Sequence, residues 1–159
     1  MFKLEGKRAL VCGGTSGIGK ATVEIFKKSG ATVVSLARTA SGENTINCDI
    51  EDLDKLTALV NKEIDDNGNF EILINNSGGP PSGPLIDAKP NDFNKAFRRH
   101  VLASQTLVQI LLPGMIACSY GRIINIISTS VKEPIPGLGV SNTIRGAMAS
   151  WSKTLSKEL

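Results

Sequence analysis

Val11-Cys12-Gly13-Gly14-Thr15-Ser16-Gly17-Ile18-Gly19 stands between an apolar run, Ala9 to Cys12, and a helical pattern carrying Ile18, Ala21, Ile25 and Phe26. Each of three glycines in it has a separate use. Gly13 permits a tight turn, Gly17 lets backbone amides approach a diphosphate, and Gly19 allows the helix to pack closely on the strand. The amide groups and the positive end of the helix dipole then attract the anion, with Thr15, Ser16 and Ile18 completing the turn. A glycine-rich loop that holds nothing is the competing reading, and the strand before and helix after it favour a dinucleotide-phosphate cradle.

Outward from this turn, short β-branched runs alternate with helical patterns, the signature of βαβ units and a parallel sheet. Five strands are expected: Ala9 to Cys12, Thr32 to Leu36, Thr45 to Cys48, Ile72 to Asn75 and Arg122 to Ile127. Their near-continuous apolar character fits burial on both faces. Leu53, Leu56, Leu59, Val60 and Ile64 recur at helical spacing, a long helix follows Pro90 toward Pro113, and Ser141 to Leu159 repeats the pattern with Ile144, Met148, Trp151 and Leu155. The fold predicted is α/β, a Rossmann-type doubly wound parallel sheet of order 3-2-1-4-5, with residues 1–159 as one dinucleotide-binding domain. Only Ala37 to Asn44 join strands two and three, too few for a helical crossover, so that connection is expected to lack its helix. The sequence closes inside a helical pattern, which predicts a chain truncated at its carboxyl end and leaves strand five as an apolar sheet edge.

Composition narrows the partners. The net charge of +3 comes from Lys and Arg dispersed along the 159 residues, with no dense basic run, which argues against nucleic acid. Cys12, Cys48 and Cys118 are far apart without metal-ligand or C-x-x-C spacing, so no metal site is expected and a reducing, cytoplasmic setting fits. The longest apolar stretch, Leu107 to Cys118, is interrupted by Gln109 and Pro113 and reads as too short to cross a bilayer.

The spacing G-x-x-x-G-x-G resembles the short-chain dehydrogenase/reductase family, in particular its β-ketoacyl-acyl-carrier-protein reductase-like members. Cys48-Asp49-Ile50 is similar to the family segment that contacts adenine, Asn75-Asn76-Ser77-Gly78 to its N-N-A-G motif, and Gly121-Arg122-Ile123-Ile124-Asn125-Ile126-Ile127-Ser128 to its fifth strand, which ends at the catalytic serine. The resemblance covers the whole chain. It implies cofactor contacts from the cradle, Asp49, Ile50, Asn76, Ser77 and Gly78, and a nicotinamide cofactor that exchanges hydride with a small carbonyl or alcohol substrate. Where an NAD enzyme carries an acidic residue after strand two, this chain reads Leu36-Ala37-Arg38, and a guanidinium matches the 2′-phosphate of NADP(H) rather than the bare ribose of NAD(H).

The resemblance also exposes departures. Carried over residue by residue, the family's serine falls on Ser128, but its Y-x-x-x-K pair falls on Ser141 and Arg145, and its relay asparagine on His100, the one histidine present. The one tyrosine, Tyr120, precedes strand five, at the end of the sheet away from the expected crevice. Two readings follow. In one, Ser128, Ser141 and Arg145 polarise a carbonyl, Arg145 also holds ribose hydroxyls, and His100 at its ordinary pKa near 6.5 supplies a proton through water, where the competing reading of His100 is a helix residue satisfied by packing. In the other, the chain is a cofactor-binding pseudoenzyme, a redox sensor or non-catalytic subunit. Lys132 and Glu133 beside the expected crevice read either as substrate contacts or as a solvated pair. The helices after Pro90 and after Ser141 correspond to the family's dimer seam, so a homodimer or homotetramer is implied.

Overall fold

The computed structural model describes residues 3–159. Five strands, β1 (Arg8–Cys12), β2 (Thr32–Ala37), β3 (Thr45–Asn47), β4 (Ile72–Asn75) and β5 (Arg122–Asn125), form one parallel sheet of order β3-β2-β1-β4-β5. Five helices follow the pattern: α1 (Gly17–Lys28), α2 (Leu53–Asn67), α3 (Pro90–Phe97), α4 (Ala103–Ala117) and α5 (Gly139–Glu158). Alternation along the strands separates two apolar layers. Ala9, Val11, Val33, Ile72 and Ile74 face α1, whereas Leu10, Val34, Leu36 and Leu73 join Leu56, Val60, Leu107 and Leu111 on the other face.

The expected architecture is found, with local corrections. The face of α1 that packs is Gly19, Val23 and Phe26; Ile18 and Ile25 are 61% and 59% exposed. Gly19 must touch β1, so the residues four and seven positions later share its face, and the neighbouring apolar stripe is left outside. β3 ends at Asn47 and β5 at Asn125, because beyond them the chain leaves the ladder to build loops at the carboxyl ends of the strands. α5 begins two residues before Ser141, at Gly139, whose added Cβ would stand 2.6 Å from the Leu85 backbone. The link from β2 to β3 holds no helix, as its length predicts, and turns through Asn44 at φ 55°.

Pro113 does not end its helix. Pro90 to Ala117 is a continuous helical run in which α3 passes through a π-helical segment, Arg98–Leu102, into α4, and α4 carries Pro113 inside it. Buried Leu111 and Met115 flank the proline and hold the helix through it. Over 28 residues, with a window of mean hydropathy 1.4, this run is long and apolar enough to cross a membrane by length and composition. The shorter apolar stretch in the sequence therefore understated it. Its apolar residues Ala103, Leu107, Val108, Leu111 and Met115 are packed in the core beside the sheet. β5 lies at the sheet edge, with Ile124 44% exposed, in keeping with the expectation of an apolar edge.

Candidate functional site

A cleft of about 350 Å³ opens at the carboxyl ends of β1, β2 and β4, lined among others by Gly13, Thr15, Ser16, Arg38, Asp49 and Asn76. This is where the switch in strand order, β1 to β2 on one side and β1 to β4 on the other, leaves a crevice in an open parallel sheet. Gly13 has φ 64°, and an added Cβ would meet Asn76 Nδ2 at 2.7 Å. A Cβ on Gly19 would lie 2.1 Å from the Gly13 carbonyl oxygen. Gly17, at φ 51°, has open space beside it, which is what close approach of a ligand to the backbone requires. Ser16 caps α1 in an extended conformation without a side-chain hydrogen bond, and no acidic residue occupies the first turn. The leading amides of a 12-residue helix thus remain available to an anion. The cradle fits a diphosphate.

Around it, Asn76 donates from Nδ2 to the Cys12 carbonyl, 3.2 Å, tying β4 to the turn after β1. Burial pushes the Cys12 thiol up to about 12, against the opposing pull of the Asn76 backbone amide, so this cysteine is an apolar wall and not a nucleophile. Ser77, Gly78 and Ile50 line the cleft, whereas Ile18 is exposed and does not line it. Arg38 is exposed at the rim and has no hydrogen-bond or ion-pair partner among the described residues. The sequence reading missed Arg99, which lines the cleft and is held there by Glu51 through Nε at 2.7 Å and through a second contact from Nη2. Arg98 Nε donates to the Glu51 carbonyl, 2.5 Å. Two consecutive arginines on one helix opposite an acidic residue just before another was the signal available.

The residues at the catalytic positions are only partly assembled. Arg145 donates from Nη1 to the Ile126 carbonyl, 2.9 Å, and from Nη2 to the Ser77 carbonyl, 3.4 Å, so it joins the end of β5 to the loop after β4. Ser141 lies one turn before it on the same face of α5. Ser128 caps a short 3₁₀ turn, Thr129–Val131, by accepting from the Ser130 amide, 3.1 Å. Among the described residues no hydrogen bond joins Ser128 or Ser141 to Arg145 or His100.

Of the two readings of His100, the structure favours the packed helix residue over the proton donor. His100 sits in the π-helical segment, is 3% exposed, and places Nδ1 2.7 Å from Ser77 Oγ. Burial, then the nearby guanidinium of Arg145 and that of Arg99, pulls its pKa from 6.5 to about 3. The ordinary pKa on which proton delivery through water depended is therefore not that of the folded protein. Tyr120 lies away from the cleft, stacked under Lys7 Nζ at 4.1 Å and Arg122 at 4.6 Å. Lys132 and Glu133 are exposed and form no ion pair with each other.

A five-stranded parallel sheet of this order, with a glycine turn and an open crevice at its switch point, defines a Rossmann-type α/β fold. The family model described as short chain dehydrogenase matches residues 7–159, and the chain belongs to that family. It is 29% identical over its whole length to a ketoacyl reductase, HetN, from Nostoc, covering 60% of that protein. It is likewise 29% identical to the 3-oxoacyl-[acyl-carrier-protein] reductase FabG of Thermotoga maritima, with 99% of this chain and 70% of the relative covered. L-Sorbose reductase from Gluconobacter frateurii, solved with NADPH and L-sorbose, superposes with a TM-score of 0.91 at 27% identity, over 99% of this chain and 65% of that one. The chain spans 51% to 70% of the length of the curated relatives it matches.

Proposed function

We propose that this chain binds NADP(H) in preference to NAD(H) and serves as a short-chain oxidoreductase acting on a small carbonyl or alcohol substrate. Bound there, the nicotinamide would supply or accept hydride. The observation that carries the cofactor preference is Arg38, an exposed and unpartnered guanidinium on the cleft rim directly after β2, where a carboxylate would instead select the 2′-hydroxyl. The NADPH-bound sorbose reductase of the same fold supports it. Of the chain's own groups, Ser128 and Ser141 supply hydroxyl donors for a substrate oxygen, and Arg145 supplies a fixed positive charge beside the ribose position. Replacing Arg38 with alanine will raise the Kd for NADPH by about 10- to 100-fold, the worth of a charge-assisted hydrogen bond to phosphate, and leave NADH binding unchanged. Equal affinity of the unmodified chain for NADPH and NADH, measured by titration calorimetry, would refute the preference.

A second reading, a cofactor-binding pseudoenzyme such as a redox sensor or non-catalytic subunit, is favoured by one observation. The acid–base positions hold a hydroxyl, a guanidinium and a buried neutral imidazole, none of them a proton donor matched to neutral pH. NADPH consumption with a panel of β-ketoacyl thioesters, diketones and quinones separates the two: binding without turnover on any of them supports the pseudoenzyme. For assembly we propose pairing of two copies across the helical run from Pro90 to Ala117 and α5, where Phe97 and Leu102 of that run are 40% and 36% exposed and border a groove with Phe93 and Ile144. Light scattering that gives only monomer would remove that proposal.

A further inference from the structure

Ser77 lines the dinucleotide cleft and also a second, small cavity of about 10 Å³, which it shares with Asn75, His100 and Arg145. Nothing in the chemistry derived so far uses that junction. We propose that a buried polar chain running from α5 through β5 and β4 fixes His100 as the neutral Nε2–H tautomer and thereby makes Ser77 a dedicated hydrogen-bond acceptor for the bound dinucleotide. His100 is in this scheme a positioning residue that acts on the cofactor through Ser77. The inference rests on the dinucleotide occupying the cleft.

From Ser152 to Asn75 the direction of each bond follows from the one before it. Ser152 donates its hydroxyl hydrogen to the Met148 carbonyl, 2.7 Å, so its oxygen can only accept from Asn125 Nδ2, 2.9 Å. Asn125 Oδ1 in turn accepts from Asn75 Nδ2 at 2.8 Å, across the register pair Asn75 and Asn125 of β4 and β5. This leaves Asn75 Oδ1, a buried acceptor with no protein partner, against the small cavity. His100 Nε2 is the other buried atom without a partner there. Two acceptors there would each need a donated hydrogen, and the single water that the cavity can hold would have to give up both of its own. A hydrogen on Nε2 instead sets a donor opposite an acceptor, and one water bridges them by accepting from Nε2 and donating to Oδ1. Nδ1 is then a bare lone pair, and the 2.7 Å contact must be Ser77 Oγ–H donating to it.

A serine hydroxyl has one hydrogen. Committed to His100, it leaves only oxygen lone pairs toward the cleft, and these suit a hydroxyl or amide donor of the dinucleotide. Arg145 anchors the Ser77 carbonyl, so backbone and side chain of this residue are both held. A free serine would have to lose its rotamer freedom on binding; this one has already lost it.

The test uses the whole chain labelled with ¹⁵N. Because His100 is the sole histidine, its imidazole signals in a long-range ¹H–¹⁵N spectrum need no assignment. Expected are the Nε2–H pattern in the free protein, a shift of Nδ1 on saturation with NADPH, and loss of that shift in Ser77→Ala. By calorimetry, Ser77→Ala will weaken NADPH about fivefold, the worth of one neutral hydrogen bond. His100→Leu will match it, the double variant will be no weaker than either single one, and His100→Asn, which keeps an acceptor near the place of Nδ1, will stay within about twofold of the unmodified chain. An Nδ1–H pattern, an imidazole signal indifferent to NADPH, or undiminished affinity in Ser77→Ala overturns the inference and leaves cofactor binding standing. Absence of NADPH binding by the unmodified chain overturns the cofactor reading itself, and the inference with it.

Discussion

Replacing Gly19 with alanine will abolish dinucleotide binding and destabilise the fold by about 3 kcal/mol, the upper range for forcing an extra carbon into a packed site. The new Cβ would stand 2.1 Å from the Gly13 carbonyl oxygen and 2.9 Å from Asn76 Nδ2. Neither neighbour can yield cheaply. The first is backbone, and the second is the amide that holds β4 to the Cys12 carbonyl. To admit the methyl group, α1 must lift off the turn, which withdraws the leading amides of the helix from the diphosphate position. Titration with NADPH and urea unfolding read the two effects separately. Gly146→Ala is the comparison: that glycine lies inside α5 and its Cβ would meet nothing within 4 Å. There the substitution will add about 0.5 to 1 kcal/mol of stability, because only the backbone entropy of glycine is removed. Equal affinity for NADPH in Gly19→Ala and the unmodified chain would show that the turn does not hold the diphosphate.

The contrast between those two glycines marks what the sequence makes readable. At Gly19 the tightest requirement is local, imposed by the Gly13 carbonyl earlier in the same turn, and the spacing Gly13, Gly17, Gly19 displays it directly. The strands were readable for a similar reason, since burial on both faces demands uninterrupted apolar runs whatever lies around them. Periodicity says less about direction. It finds apolar stripes on α1 but not which one meets the sheet, and the choice of Val23 and Phe26 over Ile18 and Ile25 follows only when Gly19 is used as the reference face. Pro113 shows the opposite limit, where contacts from Leu111 and Met115 outweigh a local stop signal.

The candidate site divides in the same way. Cradle residues, Asp49, Asn76 and Arg38 were visible because each follows a strand by a fixed short distance, and the fold brings every strand end to one edge of the sheet. The surroundings of His100 were not visible. Its partner Ser77 is 23 positions away, its burial is set by the π-helical widening at Arg98–Leu102, and its pKa depends on guanidinium groups from two different helices. A histidine read alone carries its solution pKa; the folded chain replaces the bulk water around it with protein and two guanidinium groups, and that changes its chemistry more than its identity does.

The acid stability of the chain measures that change directly. Between pH 7 and pH 5 the unmodified chain will lose about 2 kcal/mol of unfolding free energy beyond any loss seen in His100→Asn. His100 titrates at 6.5 when unfolded and at about 3 when folded, with desolvation the leading cause and the charges of Arg145 and Arg99 adding to it. Across that interval the unfolded chain binds a proton that the native state refuses, so unfolding gains from acidification. The stability in question is complete above the unfolded pKa and drains away as pH falls toward the folded one. At pH 5 the gap already crossed is about 1.5 units, and at 1.36 kcal/mol per unit this gives the stated difference. Carboxylates that also lose their partners in acid do so equally in both chains, and the subtraction cancels them. Urea midpoints and slopes at the two pH values supply the numbers, and the imidazole ¹⁵N shifts across the same range report the native titration independently. Parallel losses in the two chains would mean that His100 titrates near 6.5 in the folded protein. Water would then reach the imidazole, and proton delivery to a substrate oxygen would again be open to it.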